Sequence, residues 1–337
     1  MRVVFCRDVL DDSTQWSRID RIFDFFENGR HVLDIDDIDE VLESAWLDSE
    51  DSRTSRRNRE LLEKCLTDAE YSANRASLAH RSTIAVDCQT DDKNGHRLSP
   101  DDARSCLGRP VYLVIEDTES DGAFVKGLIR AYGRSALDCA LDKDWLELRR
   151  GGGSKVRAEL EQLLAKNIPG PRRIAALIDS DRLFPGQALA RAKEDIISWC
   201  QDRRITIHVL HKREIENYIP VDGLSEPSEV PAERVPHTRH AARRRAYLSL
   251  TQEQRDHYDM KRGFKRGQHG EAAIPAEQNK LFESVSQARL SNLCGGFGDN
   301  VWKRFEQCEY QPSDFEIICT TCPDELPGFL DKIEVLL

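Results

Sequence analysis

Four predominantly apolar runs of strand length, separated by segments of helix length, constrain this chain more than any other feature. They run from Val111 to Ile115, from Trp145 to Leu148, from Ile174 to Ile178 and from Ile205 to Leu210. A strand that is apolar on both faces has to be covered on both faces, which parallel sheets achieve with crossover helices. The intervening segments supply such helices; Phe124, Val125, Leu128 and Ile129 recur at helical spacing on one face. The pattern predicts a Rossmann-like α/β unit with a four-stranded parallel sheet over residues 109–220.

The flanking regions are less regular. Residues 1–108 show an apolar run from Val3 to Cys6, a helical stretch from about Thr14 to Glu27 and a second helix from about Arg56 to Leu78. Val32, Ile35, Ile38, Val41 and Leu42 suggest an amphipathic helix over Asp34 to Leu47, and Ser82 to Cys88 reads as a strand. No chemical motif occurs there, so this part is expected to be a mixed α/β accessory domain used for docking or oligomerisation. Gly95, Pro100, Gly108 and Pro110 punctuate its end. Residues 221–337 open with a Pro/Ser/Glu-rich loop from Asp222 to Pro236, read as a mostly helical extension, and close on an amphipathic helix from Phe329 to Leu337.

With 337 residues the chain has ample length for two cores. No window approaches the 18 or so apolar residues of a membrane span, and no leader-like segment opens the sequence, so a cytoplasmic, membrane-free protein is expected. The ten cysteines are scattered, in keeping with reduced thiols. Only Cys319-Thr-Thr-Cys322 has a metal-like spacing, and no second ligand pair accompanies it, so a structural role is expected. A net charge of −11 argues against a generally basic nucleic-acid-coating surface. The imbalance is local: residues 1–109 hold 16 basic and 24 acidic side chains, whereas residues 233–266 hold 10 and 4. Arg243, Arg244 and Arg245 lie in that basic strip and are candidate phosphate contacts, as are Lys155 and Arg262. Core packing is expected for the adjacent Tyr247.

In open parallel sheets, functional groups collect at the carboxyl ends of strands, beside the point where strand order reverses. The acidic residues follow that rule. Strand one is followed by Glu116-Asp117-Thr118-Glu119-Ser120-Asp121, strand three by Asp179-Ser180-Asp181, and strand four by Glu214-Ile215-Glu216-Asn217-Tyr218. Helix capping explains any one of these groups. All three together suit a hard divalent cation. The triple glycine at 151–153 followed by Ser154 allows close backbone approach to a phosphate, but the spacing is not that of a Walker A loop.

The order of these elements resembles the TOPRIM domain of topoisomerases, primases and OLD-family nucleases. Lys212-Arg-Glu-Ile-Glu-Asn-Tyr-Ile219 is most similar to the OLD-like branch, which includes the TOPRIM effectors of bacterial anti-phage systems such as Gabija and PARIS. The resemblance covers residues 109–220 well and 221–337 loosely, the latter then completing the nuclease domain. It implies a Mg²⁺- or Mn²⁺-dependent endonuclease that hydrolyses nucleic-acid phosphodiester bonds. Glu116, Asp121, Asp179, Asp181 and Glu216 would be its metal ligands, and Glu116, Asp179 and Asp181 would carry catalysis. Lys261, one of two adjacent cations in the turn Met260-Lys-Arg-Gly-Phe264, is the candidate for the cation that neutralises charge on the phosphate. The strand-one motif departs from the family, with Asp117 in place of glycine and one residue inserted, which leaves Glu119 and Asp121 as alternatives for the second ligand; Asp121 fits the helix start better. Because the chain has no ATPase loop, an ABC- or OLD-type ATPase would be a separate partner, docked on residues 1–108, and a homo-oligomer is compatible with the sequence. A non-catalytic TOPRIM-like scaffold or nucleic-acid-binding subunit is the alternative reading. A nucleotide-binding Rossmann module would need a glycine-rich turn after strand one, and a topoisomerase or primase would need further domains.

Overall fold

The computed structural model of the chain describes residues 1–34, 41–48, 52–67, 81–91, 96–166, 168–225 and 237–337. The expected helix residues 35–40 and 68–78 lie outside them, as do Gly95 and residues 226–236 of the Pro/Ser/Glu loop.

The chain is α/β with two four-stranded parallel sheets. The first holds β1 (Arg2–Phe5), β2 (Val32–Leu33), β3 (Thr83–Val86) and β4 (Arg97–Leu98) in the order β2-β1-β3-β4. The helices Trp16–Glu27 and Pro100–Gly108 pack together, and with the sheet they enclose an apolar core that includes Ile19, Phe23, Ile84 and Leu107. Val32 belongs to a strand here, and not to the amphipathic helix its spacing suggested. Two-residue strands such as β2 and β4 carry no periodic signal, so their sequence is mute.

The second sheet holds β5 (Val111–Ile115), β6 (Leu146–Arg150), β7 (Ile174–Ile178) and β8 (Thr206–Val209) in the order β6-β5-β7-β8. Every residue of β5 and β7 is buried, as a doubly covered sheet requires. From β5 the chain first moves outward to β6 and then returns to the other side of β5 for β7. The strand order therefore reverses between β5 and β7, and their carboxyl ends flank the switch point. The helices Ser120–Ala131, Val156–Leu164 and Arg191–Asp202 are crossovers or their parts.

Residues 237–337 fold onto this sheet. They share one core with it, in which Phe124 meets Tyr218 and Phe305 while Tyr247 lies buried against Tyr258 and Phe297. A short hairpin, β9 (Lys265–Arg266) with β10 (Ala272–Ala273), interrupts an otherwise helical extension. The closing helix spans Glu325–Glu334. Arg173, 1 % exposed, donates to the carbonyls of Leu107, Arg109, Leu336 and Leu337 and so ties the start of the sheet to both flanking regions. Cys319 and Cys322 are free thiols, and among the described residues no helix is long and apolar enough to cross a membrane.

Candidate functional site

The turn after β5 is organised by its own carboxylates. Asp117 Oδ1 accepts the N–H groups of Glu119 (2.9 Å) and Ser120 (3.1 Å) and caps the helix Ser120–Ala131, while Oδ2 pairs with Arg150 at 3.0 Å. Asp121 turns back, its Oδ2 accepting the N–H groups of Glu116 (2.8 Å) and Asp117 (3.1 Å). Burial raises the Asp121 carboxyl to about 6, with the nearby Glu116 charge adding to the effect. Glu119 points to solvent, so of the two alternatives it is Asp121 that lies inside the cluster.

Glu116 is covered from above by the glycine loop. Gly152 N–H donates to the Glu116 carbonyl at 2.9 Å, and a Cβ on Gly153 would sit 3.8 Å from Glu116 Oε2. Gly152 and Gly153 take φ values of +59° and +50°, in the left-handed region, and a Cβ on Gly151 would meet Val156 at 2.7 Å. The three glycines thus let the backbone pass close over the carboxylate. Lys155 is exposed beyond them.

The turn after β7 is pinned to the end of β8. Ser180 Oγ donates to the Lys212 carbonyl (2.6 Å), and the Asp181 N–H donates to the Arg213 carbonyl (2.9 Å). Asp181 has φ +54°, a conformation that Asp tolerates better than most residues. Lys193, in the first turn of the helix Arg191–Asp202, joins this turn to strand one. Its Nζ lies 2.5 Å from Asp181 Oδ2, 3.6 Å from Glu116 Oε1 and 2.6 Å from the Asp179 carbonyl. One ammonium touching both carboxylates means that Glu116 and Asp181 share a pocket.

After β8, Lys212, Asn217 and Tyr218 are structural. The buried Lys212 ammonium donates to the carbonyls of Asn217 and Ile318 and pairs with Asp256 at 3.0 Å; Tyr218 OH donates to Glu325 at 2.8 Å. Asn217 Nδ2 donates to the carbonyls of Arg255 and Tyr258. These anchors hold Glu214 and Glu216 inward. Lys261 Nζ lies 3.2 Å from Glu214 Oε2 and 3.2 Å from Glu216 Oε1. Glu216 is 0 % exposed, and the Lys261 ammonium is the one donor near its carboxylate among the described residues. Burial and the Glu214 charge raise its carboxyl to about 7. Burial works against the Lys261 ammonium, yet Glu216, Glu214 and Asp179 outweigh it and hold the lysine above its ordinary value.

Asp179 stands at the centre. Burial lifts its carboxyl well above the ordinary range, and Asp121, Glu116, Glu216 and Glu214 all push it further. Among the described residues its side chain has neither a hydrogen-bond donor nor an ion pair. The strand ends thus deliver Glu116, Asp121, Asp179, Glu214 and Glu216 to one electrostatically coupled cluster, with Asp181 at its exposed edge. No three His, Cys, Asp or Glu side chains among the described residues are drawn together closely enough to enclose an ion. The Lys193 ammonium lies between Glu116 and Asp181, and that of Lys261 between Glu214 and Glu216.

The basic residues are not gathered in one place. Arg243, Arg244 and Arg245 are consecutive on the helix His237–Leu248 and face three directions. Arg243 donates to the Cys294 carbonyl (3.2 Å), Arg244 approaches Asp222 (3.8 Å) and Arg245 is exposed. Arg262 is exposed one residue beyond Lys261. Two residues of the candidate site are not singled out as site residues by the sequence. Lys193 resembles any helix-surface lysine, and Glu214 reads as a capping residue, which it also is, through its capping box with Asn217.

Comparison of the chain with family models, curated proteins and solved structures gives no match.

Proposed function

We propose that this chain is a metal-dependent phosphodiesterase of the TOPRIM, OLD-like type, cleaving nucleic acid as the cytoplasmic effector of a bacterial anti-phage system under a separate ATPase. The observation that supports it is the concentration of carboxylates at the β5/β7 switch point, where burial and neighbouring acids raise the proton affinity of Asp179 and Glu216 and the Lys261 ammonium at Glu216 only partly offsets this. Like charges crowded together in a partly buried site are unfavourable, and a hard divalent cation relieves them. Glu116, Asp179 and Glu216 are the residues that would hold Mg²⁺ or Mn²⁺, with Asp121 and Asp181 beside them, and they would have to draw closer together to do so. Such an ion, when bound, supplies Lewis acidity toward a phosphate oxygen and an activated water.

The remaining work falls to the chain itself. Lys261 is kept protonated by Glu214 and Glu216, so it brings a fixed positive charge to where negative charge develops on a phosphate. The glycine loop over Glu116 leaves room for a backbone to approach, with Lys155 just beyond. Asp121 uses one carboxylate oxygen to fix the Glu116–Asp117 turn, which makes it as much a positioning residue as a ligand. The acidic residues 1–108 are the docking surface for the ATPase.

A non-catalytic scaffold is the second reading, favoured by the two lysines that already neutralise part of the cluster. Cleavage of plasmid DNA and of tRNA with Mg²⁺ or Mn²⁺, by the wild type, Glu116→Ala and Asp179→Ala, separates the two. Cleavage is expected of the wild type alone, on its own or co-expressed with its partner ATPase. Equal activity in all three proteins, or none in the co-expressed wild type, would contradict the enzyme reading.

A further inference from the structure

The segment immediately after Lys261 reads Lys261-Arg-Gly-Phe-Lys-Arg-Gly-Gln-His-Gly270, two Lys-Arg-Gly triplets in ten residues. It forms a turn and then the β9–β10 hairpin, and beside it lies a cleft of about 780 Å³. Phe264, Ile274 and Pro275 are apolar parts of the lining; Arg262, Lys265 and Arg266 are its exposed cations. None of the three cations forms an ion pair among the described residues. The acids nearby are already engaged, since Asp259 pairs with Arg213 at 3.2 Å and Glu271 accepts from His269 N–H within the hairpin loop. In a chain of net charge −11, this cleft is a local positive surface.

Its walls are continuous with the carboxylate cluster. Arg213 lines the cleft while its carbonyl holds the Asp181 N–H, and the residue before Arg262 is the partner of Glu214 and Glu216. The turn is locked in place by two interpenetrating glycine loops. A Cβ on Gly263 would lie 2.1 Å from the Leu293 carbonyl oxygen, and one on Gly296 would lie 2.3 Å from that of Lys261. Phe297 N–H donates to Met260 and Gly298 N–H to Lys261. On its far side the cleft reaches Gly295, beside which Arg243 lies.

We infer that this cleft and the β9–β10 hairpin form the track for the nucleic-acid backbone flanking the scissile bond, with Arg262, Lys265 and Arg266 contacting phosphates independently of base sequence. The inference rests on the proposed nuclease reading and adds the binding surface to it. Lys265 and Arg266 matter most, because they stand apart from the carboxylates and act on binding rather than on chemistry.

The test is the salt dependence of binding, by fluorescence anisotropy of a labelled 20-mer, single-stranded or duplex, in Ca²⁺ and between 50 and 200 mM KCl. The full chain is compared with Lys265→Gln/Arg266→Gln and with Arg21→Gln/Arg104→Gln, which removes two exposed cations from the region of the first sheet. Losing two phosphate contacts should make the slope of log K against log [salt] shallower by about 1.4 on a single strand or about 1.8 on a duplex. The Arg21/Arg104 variant should match the wild type. Arms that differ in this shift tell which form of nucleic acid occupies the track. An unchanged slope in Lys265→Gln/Arg266→Gln, with wild-type circular dichroism, would overturn the inference while leaving the nuclease reading intact. Absence of binding by the wild type to either oligonucleotide would overturn both, and retained Mn²⁺ binding by the same sample would confine that failure to the nucleic-acid part of the reading.

Discussion

Glu216→Gln is the perturbation whose sign is least intuitive. In the wild type the Glu216 carboxyl titrates at about 7 in the folded chain against an ordinary value of 4.5. A raised carboxyl pKa means that the folded state holds a proton the unfolded state has released, so stability is lost as pH rises from about 4.5 through about 7. Each unit corresponds to 1.36 kcal/mol, which gives a penalty of up to about 3 kcal/mol at pH 8, the opposing pull of Lys261 being already contained in that value. Glutamine reproduces the protonated acid in shape and carries no charge. The variant should therefore equal the wild type near pH 5 and exceed it by about 1–3 kcal/mol near pH 8 in EDTA. Using the difference between the two proteins cancels the opposing contributions of His31 and His257, whose burial lowers their pKa values and makes stability rise with pH. Urea denaturation followed by circular dichroism at pH 5, 6, 7 and 8 measures it. Addition of Mn²⁺ at pH 8 should reverse the order, since only the wild type gains by binding the ion. A variant less stable than the wild type at pH 8 in EDTA would refute the reasoning, because Glu216 would then be a satisfied ion-pair partner of Lys261.

Three further outcomes test the scaffolding. Gly296→Ala should cost about 2 kcal/mol in urea denaturation and lower cleavage through displacement of Lys261, because a Cβ there meets the Lys261 carbonyl and φ is +52°. Lys212→Met should cost about 3–5 kcal/mol by leaving Asp256 buried without its cation, and differential scanning calorimetry should show it whether or not metal is present. Asp181→Ala should be less stable than Asp181→Asn by about 1 kcal/mol, since φ is +54° and Asn tolerates that region, while neither keeps the carboxylate; equal denaturation midpoints would show that the turn relaxes.

The second sheet and its carboxylates were legible in the sequence because both signals are local. A doubly buried parallel strand is apolar at every position, and the residue after it is polar whether it caps or catalyses. Glu116, Asp121, Asp179 and Glu216 stand out this way, and in the fold Asp121, Glu116 and Glu216 lie near enough to Asp179 to raise its carboxyl further. Lys193 escaped because its role depends on a helix start aimed at two strand ends, a tertiary fact. Lys261 was singled out only as part of a basic turn, and its pairing with Glu214 and Glu216 spans more than forty residues of chain. Lys212, Asn217 and Tyr218 look like site residues in the motif but serve as anchors, which only their hydrogen bonds reveal. The run Arg243–Arg245 illustrates the converse error of reading adjacency in sequence as adjacency in space, because a helix turns consecutive side chains about 100° apart. In residues 1–108 the two short strands and the misplaced Val32 mark where a pattern of two residues is too brief to read.

The central claim is that these separated carboxylates bind one hard divalent cation. Mn²⁺ titration followed by electron paramagnetic resonance at pH 7.5 measures it directly, on the wild type and on Asp179→Asn, whose amide keeps the shape of the central group without its charge. The account requires tight, saturable loss of the free-Mn²⁺ signal with the wild type and at least a tenfold weaker affinity with Asp179→Asn. Equal titration curves for the two proteins, or no bound Mn²⁺ with either, would contradict it.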